Sequence, residues 1–559
     1  MIGVLAPQSD RRVIAEFFEL FKTPWEYLSP GRSYDVMLCV GNVLFDQARA
    51  KLVVHYANCI LPIDAQEGVE VTRHQDSEPC VHRGRSLVVY RQHVKFQQKT
   101  RETTDAEECS YRCSRDGVTV HRVGYDLFAE ITALLTSGQP EEYADSPTLE
   151  IHIAALRDII VESGVELIEI PPVPLGYGCV ACMTHDIDHP AIKNHRWDAT
   201  ALGFLYRATV GSLVNFLRGR IPIRTLMKNW AAAIKLQLVY FGLTKDFWSG
   251  FEDRYLEVER GIRTTYFVIP FKGYSGKGVE RRAPARRASG YAGREIKDAL
   301  RKIKGKGSEV ALHGIDAWCD LEACCKELNE VRQLTDEAEI GVRMHWLFYD
   351  DKSPRLLERA GASYDSTVGY RETIGFRTGT TQVYRPIEAD RILELPMHVM
   401  DTALFYPAYL GLSEREAELR VRRMIATVSE FGGCLTVNWH DRSLAPERNW
   451  DSCYRAQLAE LKNRNAWFAT AGEATSWFRL RRSVVFETGA ADSDCARARV
   501  TDVSGEQLPA LALRVHRLEQ ETEAGSPPAR RHIDLPVPTA TERCEPAFPL
   551  AELHMSRTN

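Results

Sequence analysis

Cys179-Val-Ala-Cys-Met-Thr-His-Asp-Ile-Asp-His-Pro190 is the stretch around which the rest of the chain is organised: a short apolar run that ends in two aspartates and two histidines. Asp186 and Asp188 are two residues apart, so on an extended backbone their side chains leave the same face. His185 and His189 would take the opposite face unless the chain has already turned. A buried strand that ends in carboxylates and imidazoles is a common way to build a metal or acid/base site, whereas a solvated turn with a few charges is the ordinary alternative.

The composition bounds the class of protein. At 559 residues the chain is too long for one core, and about three or four folding units are expected. A formal net charge of -5 argues against general nucleic-acid binding, which needs a basic field. The N-terminus lacks a basic segment followed by an apolar one, so we expect no signal peptide. No uncharged apolar run approaches the ~20 residues that span a bilayer.

The cysteines point to a reducing compartment. Fourteen cysteines in 559 residues is not the density of a disulfide scaffold, and their spacing is irregular. Cys179 and Cys182 form a CxxC pair without a second pair to complete a zinc ribbon, so a buried strand is favoured over a metal knuckle. Cys109 and Cys113 with His121 are expected to be solvated or core residues rather than a metal site. Reduced cysteines and the absence of a signal peptide predict a cytoplasmic location.

The chain divides into four segments. Residues 1–175 carry the strand and helix patterns of a smaller α/β domain, without a catalytic constellation. Ile168–Gly178 is rich in Pro and Gly and marks a boundary. Residues 176–480 alternate helices with apolar strands that end in polar residues, which is the α/β signature. We expect a small β appendage over 481–517 and a disordered tail over 518–559, where large apolar residues are few.

A helical insertion at about 197–248 interrupts the strand pattern of the second segment. Its large apolar residues are interleaved with basic ones, namely Arg207, Arg218, Arg220, Arg224, Lys228 and Lys235. A basic amphipathic segment can lie on a membrane surface, which would make the protein peripheral to the inner membrane face. The more common explanation is an insertion that covers its own domain.

Titratable residues collect at the ends of the predicted strands of residues 176–480. One strand-end histidine is unremarkable, but the connectivity of an α/β barrel gathers several strand ends at one mouth, where such barrels place their active sites. In chain order the strand-end residues are Asp186 and Asp188, His313, Arg343 and His345, Arg377, His398 and Asp401, and His440.

These motifs resemble those of the polysaccharide deacetylase (NodB homology) family, metal-dependent carbohydrate esterases on a distorted or partly open (β/α) barrel. The family's TFDD or DVD motif reads Thr-His-Asp-Ile-Asp-His here. In particular the chain looks like an uncharacterised bacterial subgroup near O-antigen biosynthesis proteins, which has THDVD, GVRxH and GFRxGT motifs and a similar N-terminal domain. The further motifs that carry the resemblance are Gly261-Ile-Arg-Thr-Thr-Tyr-Phe267, Glu309-Val-Ala-Leu-His-Gly314, Arg343-Met-His-Trp346 and Leu435-Thr-Val-Asn-Trp-His440.

The resemblance implies a role for each of five strand-end residues. Asp186 would be the general base, and Asp188 and His313 would be metal ligands. Arg343 would keep Asp186 ionised through a charge-assisted hydrogen bond. His440 would be the general acid.

One position departs from the family pattern. The common family motif is HxxxH, but the residue four after His313 is Ala317. A catalytic zinc normally takes three protein ligands and leaves one position for water. We therefore expect His345, which stands where the family usually has proline, to be the third ligand. The alternative is that His345 only lines the pocket, and His189 is then the reserve candidate.

The expected function is that of a metal-dependent deacylase with Zn²⁺ as its cofactor. It would remove an N-acetyl or other acyl group from a nucleotide-linked or lipid-linked sugar. Zinc would polarise both a bound water, the nucleophile, and the acyl carbonyl, while Asp186 takes the proton of the water and His440 protonates the leaving group. Trp346, Arg377 and Asp401 are the predicted substrate-binding residues.

Three alternatives stay open at this point. Arg377 would either contact a substrate carboxylate or phosphate or cap Asp365. Ala317 motivates a second function, in which a degenerate deacetylase fold binds a glycan or a partner without turnover. A metallophosphoesterase is disfavoured because the GDxxD and GNH elements are absent.

Overall fold

The computed structural model describes residues 1–43, 50–75, 77–82, 85–98, 108–278, 283–488, 496–501, 507–518 and 530–537. Within these ranges the chain folds into two large sheets with helices between their strands, followed by short antiparallel strands.

The first large sheet belongs to the N-terminal part. The elements of this part of the chain, in order, are β1 (Ile2–Leu5), α1 (Arg11–Leu20), β2 (Trp25–Tyr27), β3 (Tyr34–Val40), β4 (Ala50–Tyr56), α2 (Pro62–Gln66), β5 (Val69–His74), β6 (Glu78–His82), β7 (Arg85–Val89), β8 (His93–Gln98), β9 (Ser110–Arg115), β10 (Val118–Val123), α3 (Leu127–Thr136), α4 (Thr148–Glu162) and β11 (Leu167–Glu169). Six strands pair in the order β2-β1-β3-β4-β10-β9, all parallel except the β9–β10 hairpin. That residues 1–175 form a separate domain stays a prediction.

A disulfide joins Cys80 of β6 to Cys109, which precedes β9. The expectation of reduced cysteines is therefore wrong for this pair, although the other ten cysteines in the described ranges are free. Because Cys109 is oxidised, it is also removed from the considered cluster with Cys113 and His121.

The second large sheet is formed by the central part of the chain. The elements of this part are β12 (Cys179–Ile187), α5 (Ala199–Tyr206), α6 (Ser212–Leu217), α7 (Ile223–Tyr240), α8 (Phe251–Val258), β13 (Thr265–Val268), α9 (Lys297–Lys304), β14 (Glu309–Gly314), α10 (Leu321–Thr335), β15 (Val342–Met344), α11 (Ser353–Ala360), β16 (Val399–Met400), α12 (Asp401–Phe405), α13 (Glu414–Phe431), β17 (Cys434–Asn438), α14 (Asp451–Asn463), β18 (Ala466–Phe468) and α15 (Ala471–Arg482). The strands are parallel in the order β15-β14-β13-β12-β17-β16, and β18 pairs with the first residues of β12.

This parallel sheet curls, and isolated bridges extend it beyond β15. Val342 of β15 bridges Asp365, Asp365 bridges Glu394, and Gly369 bridges Met397, just before β16. The expected α/β fold with a curled parallel sheet and helices between its strands is confirmed. The side between β15 and β16 is irregular because only single bridges connect it.

Strand β12 explains how the sheet presents its polar ends. All nine of its residues are buried, as expected for a central strand of a parallel sheet that is covered on both faces. Cys179, Ala181 and Met183 pack among the helices, whereas Val180 and Cys182 face a second cluster that includes residues of the neighbouring strands. Because side chains alternate, Asp186 continues the second series into the sheet's concave interior.

The C-terminal part differs from its expectation at one point. Residues 481–517 contain short strands as expected, but β22 adds a strand beyond them, within the segment 518–559 that was predicted to be disordered. Alternating Ile533, Leu535 and Val537 supply the strand pattern there. The strands are β19 (Val484–Thr488), β20 (Ala496–Val500), β21 (Ala512–Leu518) and β22 (Arg530–Pro536), with β21 between β22 and β11. The rest of the predicted tail lies outside the described residues.

Residues 197–248 form the expected helical insertion. Helices α5, α6 and α7 follow one another, with a π-helical turn over Arg207–Gly211 between α5 and α6. The buried sides of these helices pack on Ile192, Trp248 and Ala445. In the part of the chain that the structure describes, no helix is both long and apolar enough to cross a membrane.

Candidate metal-dependent active site

Side chains from the carboxyl ends of four parallel strands meet at one point. Asp188 follows β12, His313 belongs to β14, His345 follows β15, and His440 follows β17. The Nε2 atoms of His313 and His345 lie 3.4 and 3.6 Å from Asp188 Oδ1. His440 Nε2 approaches the other oxygen of the same carboxylate at 3.7 Å. The strand ends that are distant in sequence are therefore neighbours in the fold.

Asp188, His313 and His345 fit a divalent cation. Their ligand atoms all lie within 4.8 Å of one another. Two ligands of a tetrahedral zinc, each at about 2.0–2.1 Å from it, stand roughly 3.4 Å apart, which matches the distances from Asp188 Oδ1. That oxygen is buried and accepts no hydrogen bond from the described residues, so it is available to a cation. A carboxylate oxygen together with two imidazole nitrogens suits a divalent metal ion.

The two histidines are prepared differently for ligation. His313 Nδ1 hydrogen bonds to the carbonyl of Arg343 at 3.0 Å, which leaves Nε2 free to point at the cluster. Burial, only partly opposed by Asp188, lowers the pKa of His345 to about 3, so its imidazole is neutral, the form that binds metals. The Nδ1 atom of His345 is buried without a hydrogen-bond partner in the described part of the chain.

Asp186 is held from both sides. Arg343 Nη1 donates to its Oδ1 at 3.1 Å, and Asn438 Nδ2 donates to its Oδ2 at 2.7 Å. Arg343 is itself fixed by the hydroxyl and carbonyl of Ser366 at 2.9 and 3.0 Å. Burial opposes ionisation of Asp186, but the charges of His313, Arg343 and His440 outweigh it and keep the pKa of this carboxyl below its usual range. A carboxylate that stays ionised can accept a proton.

His440 is oriented by Asp401. The imidazole Nδ1 lies 2.6 Å from Asp401 Oδ1, and the backbone N–H of His440 donates to Asp401 Oδ2 at 2.8 Å. Burial lowers the pKa of His440, but the carboxylate of Asp401, assisted by Asp188 and Asp186, raises it to about 10. The ring is therefore protonated near neutral pH and can donate a proton through Nε2.

The turn after His345 is strained. Trp346 and Leu347 have φ of 65° and 55°, the left-handed region that bulky side chains rarely adopt. Such strain costs about 1–3 kcal/mol per residue and persists where the surrounding structure imposes it. The turn aims His345 at Asp188 and places Trp346 in the cavity wall, where the guanidinium groups of Arg286 and Arg371 lie 5.5 and 5.3 Å from its ring.

A cavity of about 480 Å³ opens above these residues. Asp186, Asp188, His313, His345 and His440 lie at its floor or wall. Aromatic and basic side chains also line it, namely Trp346, Tyr406, Tyr409, Arg207, Arg286, Arg371, Arg442 and Arg448. A volume of this size accommodates a small ligand such as a sugar derivative.

The remaining predicted residues are placed differently from one another. Trp346 lines the cavity, as a substrate-binding residue must. Asp401 does not: it is fully buried behind His440, so the predicted substrate contact is replaced by a contact with His440. Arg377 lies outside the cavity lining and donates to the carbonyl of Gly369 at 3.3 Å. It does not cap Asp365 either, whose Oδ1 accepts a hydrogen bond from Thr367 at 2.5 Å.

The surroundings of His189 and Ala317 bear on the predicted third ligand, which stays a prediction. His189 lines the cavity, but its Nδ1 pairs with His195 Nε2 at 3.1 Å, and it is not part of the three-residue cluster. Ala317 is fully buried, and its Cβ packs close to Gly314. His345 enters from the neighbouring strand instead.

Some residues of the site could not be singled out from their sequence positions. Asn438 lies inside the motif that ends in His440, so its proximity was available, but its partner Asp186 is 252 residues away. Ser366 and Arg448 carry no motif signal at all. Spatial proximity alone reveals them.

Comparisons with known proteins find only distant similarity. No family model matches the chain, and no curated protein matches it. Among solved structures, a putative polysaccharide deacetylase from Mycobacterium smegmatis is 18% identical, with a TM-score of 0.35 over 56% of this chain and 95% of that one. Puue allantoinase is 14% identical (TM-score 0.34, 56% and 93%), and a probable polysaccharide deacetylase from Pseudomonas aeruginosa PAO1 is 15% identical (TM-score 0.33, 54% and 92%). All three share less than a fifth of their aligned residues with this chain, so what supports a function is the geometry of the site.

Proposed function

We propose that this protein is a metal-dependent deacylase that hydrolyses an acyl group, most simply an acetyl amide, from a sugar. The observation that carries the proposal is the arrangement around Asp188. Two imidazole nitrogens converge on its free oxygen, the ionised Asp186 lies beside them, and the protonated His440 lies on the other side. A base, a cation site and an acid in one cavity are the parts that hydrolysis of an amide or ester needs.

Asp188, His313 and His345 would hold the cation, for which we propose Zn²⁺. When bound, such an ion acts as a Lewis acid toward a carbonyl oxygen and makes water more acidic. Asp186, kept ionised by Arg343 and Asn438, accepts the proton of the attacking water.

His440 completes the reaction by protonating the departing nitrogen or oxygen of the sugar. Its proton is held on a ring whose other nitrogen is fixed by Asp401, so Nε2 faces the cavity. The proton that Asp186 gains and the proton that His440 gives balance over the cycle, because exchange with water restores both groups.

The substrate we propose is an acylated sugar linked to a nucleotide or a lipid. The ring of Trp346 offers a flat apolar surface in the cavity wall against which a sugar ring can pack.

Metal binding and turnover test the proposal separately. Purified protein is stripped with a chelator, titrated with Zn²⁺ by calorimetry, and assayed for acetate release from N-acetylated sugars. We expect one tight site that Asp188→Ala abolishes, while the exposed Asp351→Ala variant keeps it. Asp186→Asn should retain the metal and lose turnover. Absence of tight, stoichiometric metal binding would contradict the proposed enzymatic function. Metal without turnover of any acylated sugar would favour the alternative, a fold that binds glycans without hydrolysing them.

A further inference from the structure

Three guanidinium groups line one side of the active-site cavity around Tyr406. They belong to Arg207, Arg442 and Arg448. Arg448 donates to Ser443 Oγ at 2.9 Å and to the hydroxyl of Tyr406. Burial raises the pKa of Tyr406, yet the three arginines together hold it below its usual value, which shows how positive this side of the cavity is.

Arg442 differs from the other two arginines in its contacts. More than nine-tenths of it is buried, and its guanidinium stacks on Trp248 at 4.8 Å. Its Nη1 atom has no hydrogen-bond partner, and its side chain forms no ion pair with the residues that the structure describes. A buried cation left in this state is costly, and folded proteins keep such groups where a ligand pairs with them.

Most oxygens of the nearby carboxylates are already engaged. Glu447 Oε1 accepts from Arg207 Nε at 2.6 Å, while its Oε2 is buried without a hydrogen-bond partner in the described residues. Asp401 is bound by His440, and Asp441 accepts the backbone N–H groups of His189 and Arg442, both at 2.8 Å. Nη1 of Arg442 is therefore left without an acceptor among the described residues.

We propose that Arg207, Arg442 and Arg448 form a subsite for a phosphate group of the substrate. Guanidinium groups bind phosphate oxygens through paired, charge-assisted hydrogen bonds, and three of them suit a phosphate ester better than a single carboxylate. Arg448 Nη1 lies 3.9 Å from Asp401 Oδ2, the carboxylate that holds His440, so the subsite adjoins the proposed general acid. This inference rests on the proposed function and names its substrate class: an acylated sugar that carries a phosphate or diphosphate ester.

Binding of inorganic phosphate and pyrophosphate to the full chain tests the subsite without any turnover. Calorimetric titration should show one saturable site, weakened at least about tenfold in Arg442→Gln and about threefold in Arg442→Lys, which keeps the charge. The matched control is Arg455→Gln, an exposed arginine on α14, whose affinity should equal that of the wild type. Absence of saturable binding, or equal binding by Arg442→Gln, would overturn the subsite.

Kinetics then separate the subsite from the deacylase proposal. Acetate release is compared for N-acetylglucosamine and N-acetylglucosamine 1-phosphate. We expect kcat/KM to be at least about tenfold higher for the phosphate ester, and the ratio of the two kcat/KM values to fall to near one in Arg442→Gln. If phosphate binding depends on the arginine but neither sugar is turned over, the phosphate-subsite proposal is supported and the proposed deacylase function is contradicted. If the wild type turns over both sugars equally, the deacylase function is supported and the phosphate-subsite proposal is contradicted.

A different observation concerns the outer surface of the helical insertion. Of the 21 large apolar side chains that are exposed in the described residues, 14 lie between Trp197 and Leu243. The most exposed are Leu217, Ile234 and Phe241, at 74–76%. A contiguous apolar surface of this kind marks an interaction site rather than an ordinary solvated face.

Helix α7 carries two apolar stripes instead of one. The inner stripe packs on the protein through Leu226, Ala232, Leu236 and Val239. The outer stripe recurs every three or four residues, the spacing of a helix face, and is exposed throughout. Its members are Ile223, Met227, Trp230, Ile234, Leu238 and Phe241.

The charge of this segment indicates what covers it. Residues 199–245 contain seven lysines and arginines and no aspartate or glutamate, in a chain whose net charge is -5. On α7, Arg224, Lys228 and Lys235 lie beside the outer stripe at the spacing of one helix face. Apolar side chains bordered by cations and free of acids complement an anionic lipid surface, which accepts both.

We infer that the surface formed by α5, α6 and α7 docks on an anionic membrane without crossing it. Ala199, Thr200 and Arg207 of the same insertion line the active-site cavity, so docking would bring the cavity next to the lipid headgroups. A substrate anchored in the membrane through a phosphate ester would then reach the arginine subsite directly.

Flotation of the full chain with vesicles tests the surface. Binding is expected to phosphatidylglycerol vesicles, to be at least about tenfold weaker to phosphatidylcholine vesicles, and to fall with salt. The double variant Leu217→Glu/Ile234→Glu should lose it, whereas Leu419→Glu, an exposed leucine on α13, should not. Circular dichroism verifies that the variants fold. Failure to bind phosphatidylglycerol would overturn the inference, as would light scattering that shows a dimer dissociated by the double variant, because a second copy would then cover this surface.

Discussion

His440 Nδ1 lies 2.6 Å from Asp401 Oδ1, and Asp401 is completely buried behind it. The two residues are 39 positions apart in the sequence. Their contact keeps the imidazole protonated and fixes its orientation. A histidine with an ordinary pKa near 6.5 would lose its proton around neutral pH, whereas this one has a pKa of about 10. The pair therefore determines the pH range in which the site can supply a proton.

Asp401→Asn should shift the alkaline limit of activity. Because the carboxylate raises the pKa of His440, its removal lets burial lower that pKa, and the proton is lost at lower pH. We expect the descending limb of kcat/KM to move from near pH 10 toward or below neutrality and the plateau rate to fall about 10²–10⁴-fold, the usual contribution of acid catalysis. The pH profile of acetate release measures both. An unchanged descending limb would show that His440 is not the acid.

The same pair should make stability depend on pH with a definite sign. A histidine whose folded pKa is raised stabilises the protein fully below its unfolded pKa of about 6.5, and this stabilisation is lost as the pH rises through about 10. Urea midpoints measured at pH 6 and pH 10 should therefore differ more for the wild type than for His440→Gln. The opposite order, or equal differences, would contradict the raised pKa.

His345→Ala tests the third ligand. Loss of an outer hydrogen-bond partner of a ligand costs about 10–100-fold in metal affinity, and loss of a ligand itself should cost more. We therefore expect Zn²⁺ affinity to fall by more than about 100-fold. His189→Ala, which removes another cavity-lining histidine, should leave the affinity within a few-fold of the wild type. If His189→Ala lost the metal and His345→Ala retained it, His189 rather than His345 would be the third ligand.

Arg343→Leu should destabilise the protein as well as inactivate it. The guanidinium pairs with Asp186 in the interior, and removing one partner of a buried ion pair costs about 3–5 kcal/mol because the other charge stays behind. Urea denaturation measures the change, with the exposed Arg359→Leu variant as the control for loss of an arginine. Asp186→Asn added to Arg343→Leu should recover part of the stability, since it removes the stranded charge. Absence of recovery would mean that packing, not charge, is what the arginine supplies.

Arg442→Met should have the opposite effect on stability. It removes a buried cation whose Nη1 has no hydrogen-bond partner in the described residues, while keeping an unbranched chain over Trp248. Without added anion we expect the variant to be more stable by about 1–3 kcal/mol, the usual cost of an unsatisfied buried polar group. Thermal unfolding should also show that phosphate raises the Tm of the wild type but not of the variant. A wild type more stable than the variant in phosphate-free buffer would contradict this account.

The strands were predicted from the sequence because their signals are local, whereas the metal ligands were assigned from the family resemblance. Apolar runs identified β12, β14 and β17, and the polar residues that end them identified Asp186, Asp188, His313 and His440. The missing histidine at position 317 led to His345, since a cation site needs a third donor. The roles predicted for these residues, as base, metal ligand and acid, stay predictions.

Other features depend on contacts between distant residues and left no local signal. Asp401 was expected to contact substrate, because nothing in the sequence shows that a helix start would lie behind His440. Arg377 was expected near the site for its position in a motif, yet it lies in a turn outside the cavity lining. The Cys80–Cys109 disulfide could not be deduced either, because pairing among fourteen cysteines depends on which strands meet.

Strand β12 has hydrogen-bonded neighbours on both sides, β13 and β17, and its consecutive residues alternate between two environments. A shift of its pairing by one residue would turn Asp186 and Asp188 toward the apolar helices and carry Met183 into the concave interior. The energy of burying two unpaired carboxylates would then oppose the misfolded state. The acids that are proposed to perform the chemistry thus also discriminate against wrong registers, so loss of either carboxylate should make folding less accurate even where it makes the folded chain no less stable.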